Sequence, residues 1–228
     1  MNDASFEKLK AEVARDLTPV RPLRPAWVRA LVLLPCVALS FALLALVFGP
    51  SWETSGLVWA VGVCQVLVAY GILWVGLREA VPGEGPGAPA LGLAALIATV
   101  AVGAANALLV ALRPVPGPPG LGGFSLYCFK VEILLGLPAV ALGFWLAVRG
   151  FPLRPAVAGV LGGMAAGVAA AGVWSLYCPY NSLAHLASHI GPILPVALVG
   201  LLAGSLWLRK RRSRRGIRQR PARANGPR

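Results

Sequence analysis

The chain has 228 residues, of which 57% are hydrophobic and 13% charged, and a mean hydropathy of +0.74. A soluble domain carries about 25% charge, so these values exclude a soluble globular protein and make lipid the solvent. The net charge of +13 does not signal direct nucleic-acid binding, because ten of the 21 Lys and Arg follow Trp207 and six lie within the first 29 residues, flanking an apolar middle.

The opening MNDASFEKLKAEVARDL lacks the apolar core and small-residue cleavage site of a signal peptide. Phe6, Leu9, Val13 and Leu17 recur at helical spacing among Glu7, Lys8, Lys10, Glu12, Arg15 and Asp16, which predicts one amphipathic helix. Prolines in TPVRPLRP stop it. So short a helix is marginal alone in water, and its apolar stripe needs lipid headgroups, the inner face of the bundle or a groove on another protein. Helices that lie on membranes are rich in Lys and Arg on the polar face, and the mixed signs here favour a protein.

Six apolar stretches follow, approximately Val28 to Phe48, Gly56 to Leu77, Pro89 to Leu112, Phe124 to Val148, Pro155 to Tyr177 and Ser188 to Leu208. Each meets the requirement of roughly 20 apolar residues for a spanning helix. Turn-forming or charged segments separate them, among them REAVPGEGPGAP, RPVPGPPGLGG and RGFPLRP. Lys and Arg accumulate in cytoplasmic loops. With the N-terminus inside, 19 of these residues fall on the cytoplasmic side and two, Arg113 and Lys130, on the other. The expected fold is therefore all-α, a polytopic membrane protein with six transmembrane helices, both termini inside and a short amphipathic N-terminal helix. Its parts are a head and linker at 1–26, a six-helix domain at 27–209 and a basic, disordered tail at 210–228, the last a solvated anchor against anionic lipid.

This orientation puts Cys128 near the outer start of the fourth span and Cys178 at the outer end of the fifth, each within an SLYC tetrapeptide. The stripe Gly159, Gly163, Gly167 and Ala171 gives the fifth span a small-residue face, and the fourth span is its expected neighbour. The compartment outside permits disulfides. Two readings stand for the thiols: a reactive or bonded pair, or two unpaired cysteines packed as small apolar groups. Cys36 and Cys64, in mid-span and axially apart, read as packing residues. His185 and His189 share one helix face at i, i+4, as Cys128 and Glu132 do. Two thiols, two imidazoles and a carboxylate suit a soft divalent metal; interfacial decoration of the bilayer is the competing reading. No cofactor is otherwise implied. Signatures of an enzyme are missing from the sequence: it contains no C-x-x-C, G-x-S-x-G or H-E-x-x-H.

The amphipathic head followed by DLTPVRPL, the stretch CFKVEILLGLP, the stretch RGFPLRPAVAGVLGGMAAGVAAAGVWSLYC and the histidine segment after it occur in this order over nearly the whole chain. In this it resembles the six-span bacterial membrane anti-sigma proteins named after the negative regulator of sigma F. The resemblance implies an inner-membrane protein, not an enzyme, that holds an extracytoplasmic-function sigma factor inactive through its N-terminal segment and releases it under stress. It further implies that Cys128 and Cys178 are the sensing pair and that Phe6, Leu9, Val13 and Leu17 belong to the sigma-binding head. A membrane transporter of small molecules or metal ions is the alternative.

Overall fold

A computed structural model of the chain describes residues 3–16, 23–50, 55–118 and 123–218. Among them the regular structure is entirely helical: α1 (Asp3–Asp16), α2 (Ala26–Ala30), α3 (Leu33–Phe48), α4 (Gly56–Glu79), α5 (Ala88–Leu112), α6 (Leu126–Val148), α7 (Pro155–Trp174), α8 (Leu183–Ile190) and α9 (Ile193–Arg218). Among the described residues six segments are long and apolar enough to cross a membrane: Ala26–Phe48, Gly56–Glu79, Ala88–Leu112, Leu126–Val148, Pro155–Trp174 and Leu183–Arg211. They follow the six stretches expected from hydropathy.

Proline explains where the spans break. Pro35 has no N–H for the Leu31 carbonyl one turn earlier, and the first span divides at residues 31–32 into α2 and α3. The last span divides at Gly191 and Pro192 into α8 and α9. Pro138, in contrast, sits inside a continuous α6. Beyond residue 209, where a disordered tail was expected, α9 continues through the basic run to Arg218. Lys and Arg are good helix formers and complement the negative end of the helix dipole, so nothing in RKRRSRRGIR stops the helix; 219–228 lie outside the described residues.

α7 is the hub. It packs against α4, α6 and α9, and every residue from Gly162 to Trp174 except Met164 is buried. From Ala165 to Val173 its sequence holds only Ala, Gly and Val, which lets neighbouring helices come close. The glycine stripe does not face the fourth span as expected. Gly159 meets Gly200, Gly163 meets Val196 and Ala197, and Gly167 meets Ile193, all on α9 or its first residue. A Cβ on Gly163 would stand 2.6 Å from the Val196 carbonyl oxygen and 2.7 Å from the Ala197 Cα. Another side of α7 also approaches α4 closely, though less so than α9, for a Cβ on Gly172 would lie 2.9 Å from the Gly62 carbonyl oxygen. Thus α6 abuts α7 without owning its glycine stripe.

Polar groups lock the two ends. At the end shared by the starts of α2 and α7, the buried Glu79 carboxylate meets Arg154 Nε at 2.7 Å, and Arg29 Nη2 donates to the Leu77 carbonyl at 3.2 Å. At the other end, Asn181 Nδ2 donates to the Leu109 and Arg113 carbonyls at 2.8 and 2.7 Å, adding a side-chain donor at the C-terminus of α5. Val115 and Asn181 also exchange backbone hydrogen bonds of 2.8 and 3.0 Å. The connection after α5 is thereby tied to the segment that follows Cys178.

Candidate thiol and imidazole site

The two SLYC tetrapeptides do different local work. In the first, Ser125 is the N-cap of α6, and its Oγ accepts from the Cys128 N–H at 3.3 Å. In the second, Ser175 ends α7, donating from Oγ to the Gly172 carbonyl at 2.8 Å, and Cys178 lies beyond the helix. A third serine repeats the first arrangement: Ser182 caps α8, and its Oγ accepts from the His185 N–H at 3.2 Å. A serine N-cap thus fixes the first turn beneath Cys128 and beneath His185. Ser188, in the last turn of α8, ties that helix to the start of α6, its Oγ accepting from the Ser125 N–H at 2.7 Å.

These caps bring four donor residues together from α6, the 175–182 segment and α8. Cys128 and Cys178 Sγ are 3.7 Å apart and unbonded. Cys178 Sγ is 3.1 Å from His185 Nε2. One ligand atom from each of Cys128, Cys178, His185 and His189 can be chosen so that all lie within 4.8 Å of one another. Glu132 stands behind this group, its Oε1 paired with His189 Nδ1. Cys128, His185 and Glu132 are buried; Cys178 and His189 are half-buried. Cys36 and Cys64 belong to α3 and α4 and are not part of the cluster.

The hydrogen bonds assign the imidazole protons. A backbone carbonyl only accepts, so the 3.0 Å contact of His185 Nδ1 with Gly123 O puts the proton on Nδ1 and leaves the Nε2 lone pair facing Cys178. The hydrogen bond with Cys128 and burial both raise the pKa of the Cys178 thiol above its ordinary value. The single S–H proton of Cys178 has two acceptors in reach, Cys128 Sγ at 3.7 Å and His185 Nε2 at 3.1 Å.

A cavity of about 590 Å³ opens beside the cluster and reaches Gln65, Asn106, Arg113, Cys178, His185 and His189. It provides solutes with access to Cys178 from that end of the bundle. Sequence reasoning singled out the thiols, imidazoles and Glu132. It missed Ser125, Ser182, Ser188 and Gly123, although serine three residues before a cysteine or histidine of the cluster, in SLYC and SLAH, is a readable capping signal.

The family described as "Negative regulator of sigma F" matches residues 13–209. The chain belongs to that family. The match takes in every residue of the cluster and every helix from α2 to α8, whereas Phe6 and Leu9 precede it. One curated relative is the "Anti-sigma-F factor NrsF" of Caulobacter vibrioides (strain NA1000 / CB15N), 39% identical over 84 residues, or 36% of this chain. The chain covers only 39% of that relative's length. No solved structure matches the chain. In this member of the negative regulator of sigma F family, α1 occupies Asp3–Asp16, with Phe6 53% exposed; Leu17 lies outside the described residues.

Proposed function

We propose that this chain is an anti-sigma factor of the bacterial inner membrane with both termini in the cytoplasm. It sequesters an extracytoplasmic-function sigma factor through its N-terminal segment and releases it when Cys128 and Cys178 are modified from outside by an oxidant or heavy metal. The family match over residues 13–209 carries the reading. The 19-to-2 distribution of Lys and Arg supports the orientation.

The thiol geometry supports the sensing step. A two-electron oxidant removes two electrons from the pair, both thiols lose their protons, and an S–S bond forms while the oxidant is reduced. The sulfurs then close from 3.7 Å to about 2.05 Å, drawing the start of α6 toward the segment after α7. Close-packed interiors respond to such a change by switching arrangement rather than by stretching. α7, in contact with α4, α6 and α9, is the element that carries the shift toward the cytoplasmic end. To take sigma from about 1% to 99% free, the two states must differ about 10⁴-fold in affinity.

The test replaces Phe6, Leu9, Val13 and Leu17 by serine in the full chain and follows the cognate sigma factor between membrane and soluble fractions. Hot spots are a minority of contacts, so counting two of these four as anchors at about 2 kcal/mol each, their loss weakens binding on the order of 10³-fold, and sigma moves to the soluble fraction without any stress. Sigma that stays at the membrane with the altered head contradicts the binding half of this reading. A transporter would leave sigma soluble with either chain.

A further inference from the structure

We infer that Cys128, Cys178, His185 and His189 form a tetrahedral site for a borderline-soft divalent cation of the zinc class, with Glu132 and the Gly123 carbonyl orienting its two imidazoles. The inference uses the same thiol pair as the sensing reading above, but binding of the ion does not depend on a sigma factor.

Several observations point to the ion independently. A tetrahedral zinc with metal–sulfur bonds of about 2.3 Å separates two thiolate sulfurs by about 3.8 Å, and the unbonded sulfurs here are 3.7 Å apart. That spacing is too long for a disulfide. Both histidines have Nδ1 engaged, one on Gly123 O and the other on Glu132 Oε1, so each retains Nε2 as its remaining donor. Metal-binding histidines characteristically use one nitrogen on the ion and the other on a carbonyl or carboxylate. Glu132 is 0% exposed, and its Oε2 has no hydrogen-bond partner among the described residues. An acidic group in that position is costly, and orienting and polarising a ligand histidine gives it a use.

Charge favours the same ion. Two thiolates neutralise a divalent cation, and neutral imidazoles add nothing, so the coordinated centre carries no net charge into an apolar bundle. Sulfur and imidazole donors select zinc-like ions over magnesium or calcium, which take oxygen. The cavity beside Cys178 and the histidines supplies an access route. Once bound, the ion joins the start of α6, the segment after α7 and α8 through four side chains. The thiols cannot then form a disulfide without releasing it.

The test uses full-length protein purified in detergent under reducing conditions, loaded with Zn²⁺ or Co²⁺ and freed of excess. Wild type is expected to retain about one ion per chain, and the cobalt form to show the intense visible bands of tetrahedral coordination with a thiolate charge-transfer band. Cys128→Ser and His185→Ala should abolish both signals. Glu132→Gln should weaken Zn²⁺ affinity about 10–100-fold while leaving the cobalt spectrum tetrahedral at saturation. Thiol alkylation of wild-type membranes, slowed by Zn²⁺ and restored by chelator, reads the site without any substitution that might misfold. No metal retention and no protection in wild type overturn the inference, as does retention undiminished by Cys128→Ser. Sigma release is measured in parallel in wild-type cells. Oxidant-driven release from a wild-type chain that retains no metal sinks the metal site and leaves the sensing reading standing, and metal retention by wild type without thiol-dependent release does the reverse.

Discussion

Cells carrying Cys128→Ser and Cys178→Ser together are expected to keep the sigma factor membrane-bound through an oxidant challenge that frees it in wild type. Serine keeps the size and the capping surroundings of each position but neither forms a disulfide nor binds soft metals. The expected effect is large because the proposed switch spans about 10⁴-fold in affinity, and it should vanish to within twofold. Each single substitution should act like the double one, since either removes the 3.7 Å pair. The readout is sigma partitioning between membrane and soluble fractions before and after oxidant. Normal release from the double variant contradicts the sensing half of the proposal. Cys36 and Cys64, outside the cluster, serve as controls, and their replacement by serine should leave release intact.

The second large effect concerns stability. Gly163→Ala places a methyl group 2.6 Å from the Val196 carbonyl oxygen and 2.7 Å from the Ala197 Cα. Both are backbone atoms, so α7 and α9 must separate rather than a side chain rotate. Overpacking of this kind costs about 1–3 kcal/mol, and the upper end is expected here. Gly71→Ala on α4 adds the same methyl where nothing lies within 4 Å. It should be neutral or stabilise by up to about 1 kcal/mol through helix propensity. Denaturant titration of both variants in the same detergent compares them directly. Equal stabilities would contradict the close approach of α7 and α9.

Which parts of this arrangement can be read from sequence follows from what hydropathy encodes. A run of about 20 apolar residues must avoid water, and the six segments emerged at their expected places, including the last, which a Gly-Pro pair breaks after His189. Hydropathy does not say which neighbour a helix face meets. The stripe at Gly159, Gly163 and Gly167 admits any close partner, and α9, with Gly200 and Gly204 opposite, fits it better than α6. Similarly, the charges of RKRRSRRGIR signal exposure, which does not distinguish a disordered tail from the helix that its described part forms to Arg218.

The candidate site was legible by a different route. Counting charges placed both SLYC cysteines at one end, and i, i+4 spacing placed two histidines on one face. What the sequence could not reveal is that equal tetrapeptides occupy unequal positions, one opening α6 and the other following α7. Nor does it show that Gly123, a backbone carbonyl, sets the tautomer of His185. These are tertiary contacts across 50 to 63 residues of chain.

Release triggered from outside requires the thiols and the partner-binding segment to lie on opposite sides of the membrane. Side-specific labelling tests that most directly. In spheroplasts of a strain in which the other three cysteines are serine, Cys178, which lines the open cavity, should react with a membrane-impermeant maleimide before lysis. In a cysteine-free chain, Ser5→Cys in the exposed part of α1 should react only after lysis. Labelling of both positions from the same side would contradict the account.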